Sequence, residues 1–272
     1  MNAWQRPMRS GIKYAAVFRI SLKNQLAYVP DFLIRTLFLL VILFVFTQLW
    51  SVTFRMSGGP LIEGYSLATM IWYLTVSESI IMSYPYLAQK VEQEVKSGQV
   101  AVQLLRPLDY TGNHFAGYVS EFFLRHIVCL FVGGSLTFLM FGPPPVTPKR
   151  AGLFLLFLLT ALVIQFCLLM SLALLAFWLE ETRGMEMIYS RLVMTIGGMM
   201  LPLEIFPDWL EPILRWLPFQ AVMYLPARIL LTETPADWPM LWLGQLGWAA
   251  AAFLLLRFVY RLGVKKLDVN GG

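Results

Sequence analysis

The chain has 272 residues, of which 58% are hydrophobic and 14% charged, and its formal net charge is +5. Soluble domains carry about 25% charged residues, so these charges are too few to cover a water-facing surface. A mean hydropathy of +0.66 makes lipid the expected solvent and excludes an ordinary soluble enzyme or binding module.

The first 31 residues hold six charged side chains and no long apolar run, so no secretory leader is expected. Residues 8–29 mix apolar and basic positions, including Ile12, Ala15, Ala16, Arg19 and Lys23. They read as a helix lying in the membrane interface before the chain turns inward near Pro30. A crossing helix needs about 20 mostly apolar residues, and six windows qualify: 32–50, 61–84, 115–141, 151–179, the shorter 187–203, and 240–257.

Between the second and third windows lies the charged stretch QKVEQEVKSGQVAVQLLRPLDY, residues 89–110. Leu87, Val91 and Val95 recur every four residues as a narrow apolar stripe, and Glu92 and Lys96 can pair one turn apart. Gly98 is placed to end that helix. A second short helix over 100–105 would stop before Pro107. This is either a solvated loop helix or one that seats in a protein groove. Farther on, GPPPVTP at 142–148 reads as a stiff outer turn. Prolines at 202, 207, 212, 218 and 226 forbid one continuous helix there. Short helices dipping back into the membrane are expected, a plain external loop being the alternative. Trp209, Trp216 and Trp238 suit the headgroup level.

Six crossings put both termini on one side. With the termini inside, fourteen Lys and Arg face the cytoplasm, five lie outside, and Arg125 and Arg191 fall within spans. The basic charge is thus an orientation signal, and nucleic acid is excluded as a partner. Cys129 and Cys167 read as buried free thiols. His114 and His126 are the only histidines, and no metal, nucleophile or phosphate-loop motif occurs. No cofactor or metal is expected on this chain. Ionisable groups at membrane depth are costly. Glu78, Glu121, Arg125 and Arg191, with His126 beside the Glu121–Arg125 pair, therefore either line a pathway or gate, or brace helices.

The layout of six spans, an interfacial first helix, a charged helix pair after span two and a proline-broken segment before span six resembles permease subunits of type-2 ABC exporters. More narrowly, VEQEVKSGQVAVQLLRPLDY is similar to the branch in which a Glu-rich helix (Glu92, Glu94), a glycine (Gly98) and LLRPL (Leu104, Leu105, Arg106, Pro107, Leu108) follow the second span. The resemblance implies an all-α integral membrane protein, a single permease domain over 1–272. It would comprise an interfacial helix (1–31), spans 1–2 (32–84), cytoplasmic coupling helices (85–110), spans 3–5 (111–203), an outer re-entrant segment (204–237), and span 6 with a cytoplasmic tail (238–272). Lys90, Val91, Glu92, Glu94, Val95, Lys96 and Gly98 would couple to a separate ABC ATP-binding subunit that carries the ATP and Mg. A second permease chain, identical or paralogous, would complete a pathway for export of drug-like or lipid-like cargo across the plasma (inner) membrane.

Two rival readings exist. An integral-membrane enzyme acting on a lipid-like substrate would use Glu78, Glu121, Arg125 and His126 as its cluster. A channel or secondary carrier would need broken spans at matching positions in two halves, and only the segment near Pro202 is broken.

Overall fold

The computed structural model describes residues 5–27, 29–179 and 181–270, without the side chains of 5–10, 27–33, 35 and 267–270. In chain order the helices are α1 (Gln5–Ala27), α2 (Val29–Ser57), α3 (Leu67–Ser83), α4 (Leu87–Lys96), α5 (Gln99–Leu104), α6 (Tyr110–Phe141), α7 (Pro148–Ala173), α8 (Arg183–Ile196), α9 (Glu211–Trp216), α10 (Pro218–Val222), α11 (Tyr224–Leu231) and α12 (Trp238–Asn270). The junction expected near Pro30 falls at Tyr28, outside the described residues.

Among the described residues, four stretches are long and apolar enough to cross a membrane: Thr36–Ser57, Tyr110–Phe141, Pro148–Phe177 and Trp238–Lys266. The other two windows expected to cross hold shorter helices. With 17 residues α3 reaches about 25 Å, and with 14 residues α8 reaches about 21 Å, at 1.5 Å per residue. The window over 61–84 was read too long at its start. Ile62 and Tyr65 pair across a tight turn through N–H···O bonds of 3.0 and 2.9 Å, with Glu63 and Gly64 at positive φ. Ser66 then caps α3 by accepting the Thr69 N–H at 3.2 Å.

At the centre stand α3 and α7. Residues 70–80 of α3 are buried without interruption, and α7 packs against α12, α11, α10 and α4. Close to α3 lies α6, whose Gly133 leaves room for Leu39 and Leu43 of α2 and for Thr75, while Thr75 and Thr137 share a 2.6 Å hydrogen bond. The outward faces of α2 and α12 are apolar, with Phe38, Val41, Val45, Leu254 and Phe258 exposed, as lipid contact requires. Along α6 runs α1, joined to it where Ser120 donates to the Phe18 carbonyl at 3.0 Å. Both cysteines are free and buried.

The proline-rich segment is broken into short pieces, as its spacing requires. α10 and α11 are buried along almost their whole length, from Gln220 to Leu231. Gln245 of α12 holds them by donating to the Ala221 carbonyl at 2.8 Å and to that of Phe157 in α7 at 3.0 Å. Ahead of them, Gly198 turns the chain at φ +78°, and a Cβ there would sit 2.8 Å from the Tyr224 Cβ. Its carbonyl accepts from the Tyr73 hydroxyl. Gly198→Ala should therefore cost at least about 1–2 kcal/mol from the left-handed backbone alone. A thermal unfolding scan in detergent checks this, and an unchanged midpoint would mean that the turn does not hold α3 to α11.

Candidate functional site

One end of the bundle gathers α4, α5, the start of α6, the end of α7 and the start of α8. α4 ends at Ser97, and Gly98, at φ +71°, takes the left-handed conformation that glycine tolerates best. α5 then starts at Gln99 and ends at Leu104, three residues before Pro107.

The apolar stripe of α4 faces this chain and not outward. Leu87 and Val91 lie in the main hydrophobic core, with Val95 packed against it. The two glutamates of the stretch also turn inward. Glu92 Oε2 accepts from the Thr182 backbone N–H and hydroxyl, both at 2.9 Å, while Oε1 accepts from Lys96 at 2.6 Å. Thr182 is the N-cap of α8 and has no side-chain cap of its own. Glu92 thus supplies from another helix the acceptor that a capping-box glutamate supplies from within. In the other direction, Glu186 of α8 is buried beside Ala88 in the first turn of α4.

Glu94 binds a different helix. Its Oε2 accepts from the Tyr110 hydroxyl at 2.8 Å and lies 3.1 Å from His114 Nε2, and Gln103 donates to the same carboxylate. Burial raises the Glu94 carboxyl, but His114, Gln103 and Tyr110 outweigh it and hold it below its ordinary value. Lys96, then the Thr182 N–H, hold the Glu92 carboxyl down to about 2. A carboxyl so lowered stabilises the fold above its ordinary value near 4.3, and that contribution is lost as pH falls through about 2.

What faces outward is a different set. Tyr86, Gln89, Lys90, Gln93 and Lys96 are exposed on α4, as is Gly98 after it. α5 and its exit add Val102, Arg106, Pro107 and Leu105, the last 87% exposed. A cleft of about 540 Å³ opens beside Val95 and Lys96, walled by Phe177, Trp178 and Glu181. Of the residues assigned to the coupling stretch, Val91 and Glu94 are inaccessible, Glu92 and Val95 are partly covered, and Lys90, Lys96 and Gly98 are open. Tyr86 and Val102 were not singled out from the sequence, though both flank the stretch.

The membrane-depth groups do not form one cluster. Glu121 and Arg125 form a salt bridge on α6. His126 stacks on Phe122, ring centroids 5.3 Å apart, and lies 3.4 Å from the Ser79 hydroxyl. Glu78 is 2% exposed and bonds to none of these. Arg191 stands on the exposed face of α8 beside Ile188 and Leu192. The cluster that a lipid-modifying enzyme would need is not assembled among the described residues, and no group of three metal-ligating side chains occurs among them.

A second polar centre lies at the opposite end and carries no motif in the sequence. Glu204 accepts from the hydroxyls of Tyr224 and, at 3.5 Å, Tyr65. It also pairs with Arg228 at 3.3 Å and Arg215 at 3.5 Å. Both guanidinium groups sit over the Tyr224 ring, 5.6 and 5.7 Å from its centroid. This centre fastens the broken segment to α3.

The sequence profile of the ABC-2 family transporter proteins matches residues 33–271. No curated protein matches the chain.

Because Glu92 and Thr182 bond to each other, their removal should not be additive. Glu92→Ala and Thr182→Val should each lower the thermal midpoint, and the double variant should fall short of their sum by a coupling of about 1 kcal/mol. Full additivity would mean that the contact carries no stability.

Proposed function

The chain belongs to the ABC-2 transporter family and is a membrane component of such a transporter; on that premise we propose that it is the permease subunit of an ATP-driven exporter whose coupling helix is α4. The observation that carries this reading is the two-sidedness of α4. Its carboxylates and apolar stripe are bound to α6, α7 and α8 of the same chain, while Tyr86, Lys90, Gln93 and Lys96 are exposed. A partner pressing on the exposed face moves the feet of two long helices at once. ATP and its Mg²⁺ belong to that partner, since this sequence has no phosphate-cradling loop.

Six crossings are proposed: α2, α3, α6, α7, α8 and α12, with α10 and α11 as a re-entrant pair. The supports are geometric. α3 runs from the Glu204 centre, through Tyr65 and Tyr73, to α4. α12 begins at the far end and returns to the α4 end, where Arg257 lies 3.8 Å from Asp109 and Gly263 is pressed on Phe177. Both termini then share the cytoplasmic side of the plasma (inner) membrane. A second permease chain is proposed against the exposed face of α8. A lone arginine, Arg191, is costly there in plain lipid and is better accommodated beside another chain or an aqueous route.

The test is co-purification. The tagged chain is expressed with its neighbouring genes and isolated in detergent, and an ATP-hydrolysing subunit is expected with it. Lys90→Glu with Leu105→Asp, both on the exposed face, should abolish the association and leave the thermal midpoint unchanged. No ATPase with the parent chain, or full retention by the double variant, overturns the assignment of α4.

A further inference from the structure

A groove of about 420 Å³ runs between α1 and α6, lined by Ala15, Phe18 and Arg19 on one side and by Phe115, Ala116 and Val119 on the other. Its volume lies within the range of small-molecule pockets, about 300–1,000 Å³. Its lining is apolar except at Tyr14 and Arg19. Two small residues, Ala15 and Ala116, create the space, and none of the described residues fills it.

The groove has a definite depth. α1 is tied to the α4 end of the bundle where Lys13 Nζ reaches the Pro107 carbonyl at 3.5 Å. From the first residue of α6, the lining positions 115–119 lie about 8 to 14 Å along the helix. That is near the depth of about 5–10 Å at which interfacial helices bury their apolar faces, between headgroups and acyl chains.

The outward surface of α1 matches that boundary. Tyr14, Phe18, Ser21 and Gln25 form the face turned to α6, with Tyr14 against Gly112 and Ser21 against Gly117. The rest of its surface interleaves exposed Ile12, Ile20 and Leu26 with exposed Lys13, Arg19 and Lys23, of which Arg19 stands at the groove. No Asp or Glu occurs anywhere in α1. Such a face is unsuited to water, because of its isoleucines, and unsuited to the hydrocarbon centre, because of its cations. At the boundary the basic stems lie along lipid and their charges reach the headgroups.

We propose that this groove is a binding site for an anionic phospholipid, with one acyl chain against Phe18, Phe115 and Val119 and the headgroup phosphate held by Arg19 and Lys23. These two cations are one turn apart and share a helix face. The charge complementarity is one-sided: a zwitterionic lipid would fit the groove equally well, but its headgroup would gain less from two uncompensated cations. The site is independent of whether α4 engages an ATPase.

Native mass spectrometry of the purified chain tests this, with phosphatidylglycerol and phosphatidylcholine of identical acyl chains in competition. The parent chain should retain phosphatidylglycerol preferentially. Arg19→Gln with Lys23→Gln should reduce the preference roughly fivefold or more, the effect of about one basic side chain near an anionic surface. Lys149→Gln with Arg150→Gln, at the far end and of equal charge change, should leave it intact. Ala116→Leu, which narrows the groove, should remove one bound lipid of either kind. Equal retention of the two lipids by the parent chain overturns the proposal, as does an equal loss of preference in the far-end control. An unchanged lipid count in Ala116→Leu overturns the groove as the location.

Discussion

A helix end inside a protein must find partners for its unpaired N–H groups, and around α4 those partners come from neighbouring helices. Glu92 receives the N–H of the residue that starts α8, and Glu186 of α8 is buried beside the start of α4. The start of α8 is not complete without α4. Glu94 adds a third tie, to Tyr110 and His114 in the first two turns of α6. Hydrogen bonds to ionised groups are the strong ones, and of these carboxylates Glu94 and Glu186 are buried while Glu92 is partly covered. Movement of α4 is therefore movement of α6 and α8.

The opposite end is built on the same logic with different chemistry. The outer segment cannot be a single helix, so its short pieces need an external point of attachment. Glu204 provides it by collecting two arginines and two tyrosines, while Gln245 fixes α10 to α7 and α12. Between the two ends, α3 is buried on every side over residues 70–80 and touches both, through Tyr65 and Tyr73 at one end and Tyr84 at the other, where Tyr84 stacks near Tyr118 and Phe122. Packed interiors transmit displacement because they have little free volume. α3 is thus a close-packed helix that spans the distance between the two polar ends.

Much of this was legible in the residues and some was not, for identifiable reasons. Apolar runs reported the long helices but misplaced their ends, because hydropathy stops at the first charge and the backbone does not. α12 continues past Arg257, Arg261, Lys265 and Lys266 to Asn270. Residues 61–66 looked like part of a span because Leu61, Ile62 and Tyr65 are apolar, yet Gly64 and Ser66 mark the turn and cap that start α3 late. The break at Gly98 and the fragmentation of the proline-rich segment were readable because both are local. The orientation of Glu92 was not: its pairing with Lys96 sufficed as an explanation, and Thr182 is 90 residues away. The stripe of Leu87, Val91 and Val95 was correctly apolar. A stripe reports which face seeks a core, without saying whose core it is. The Glu204 centre has no spacing signature, since its members are scattered from Tyr65 to Arg228.

The signs of charge separate at the α4 end, and that separation has a consequence. Most anions there are taken up by the fold: Glu92 by the start of α8, Glu186 by burial, Glu94 by a histidine and a tyrosine, and Asp109 as N-cap of α6, accepting the Gly112 N–H at 2.8 Å, while Glu181 stays exposed. Cations remain exposed, among them Lys13, Arg19, Lys23, Lys90, Lys96, Arg106, Arg183, Lys265 and Lys266. The surface at this end is therefore more positive than its sequence composition, because most of the negative charges that would offset it are engaged by the fold. A surface of that kind attracts anionic headgroups and acidic protein faces alike. Charge reversal consequently means different things at neighbouring positions on one short helix. At Glu92 it removes an acceptor that the start of α8 relies on and acts through the fold; at Lys90, two residues earlier, it alters only an exposed face.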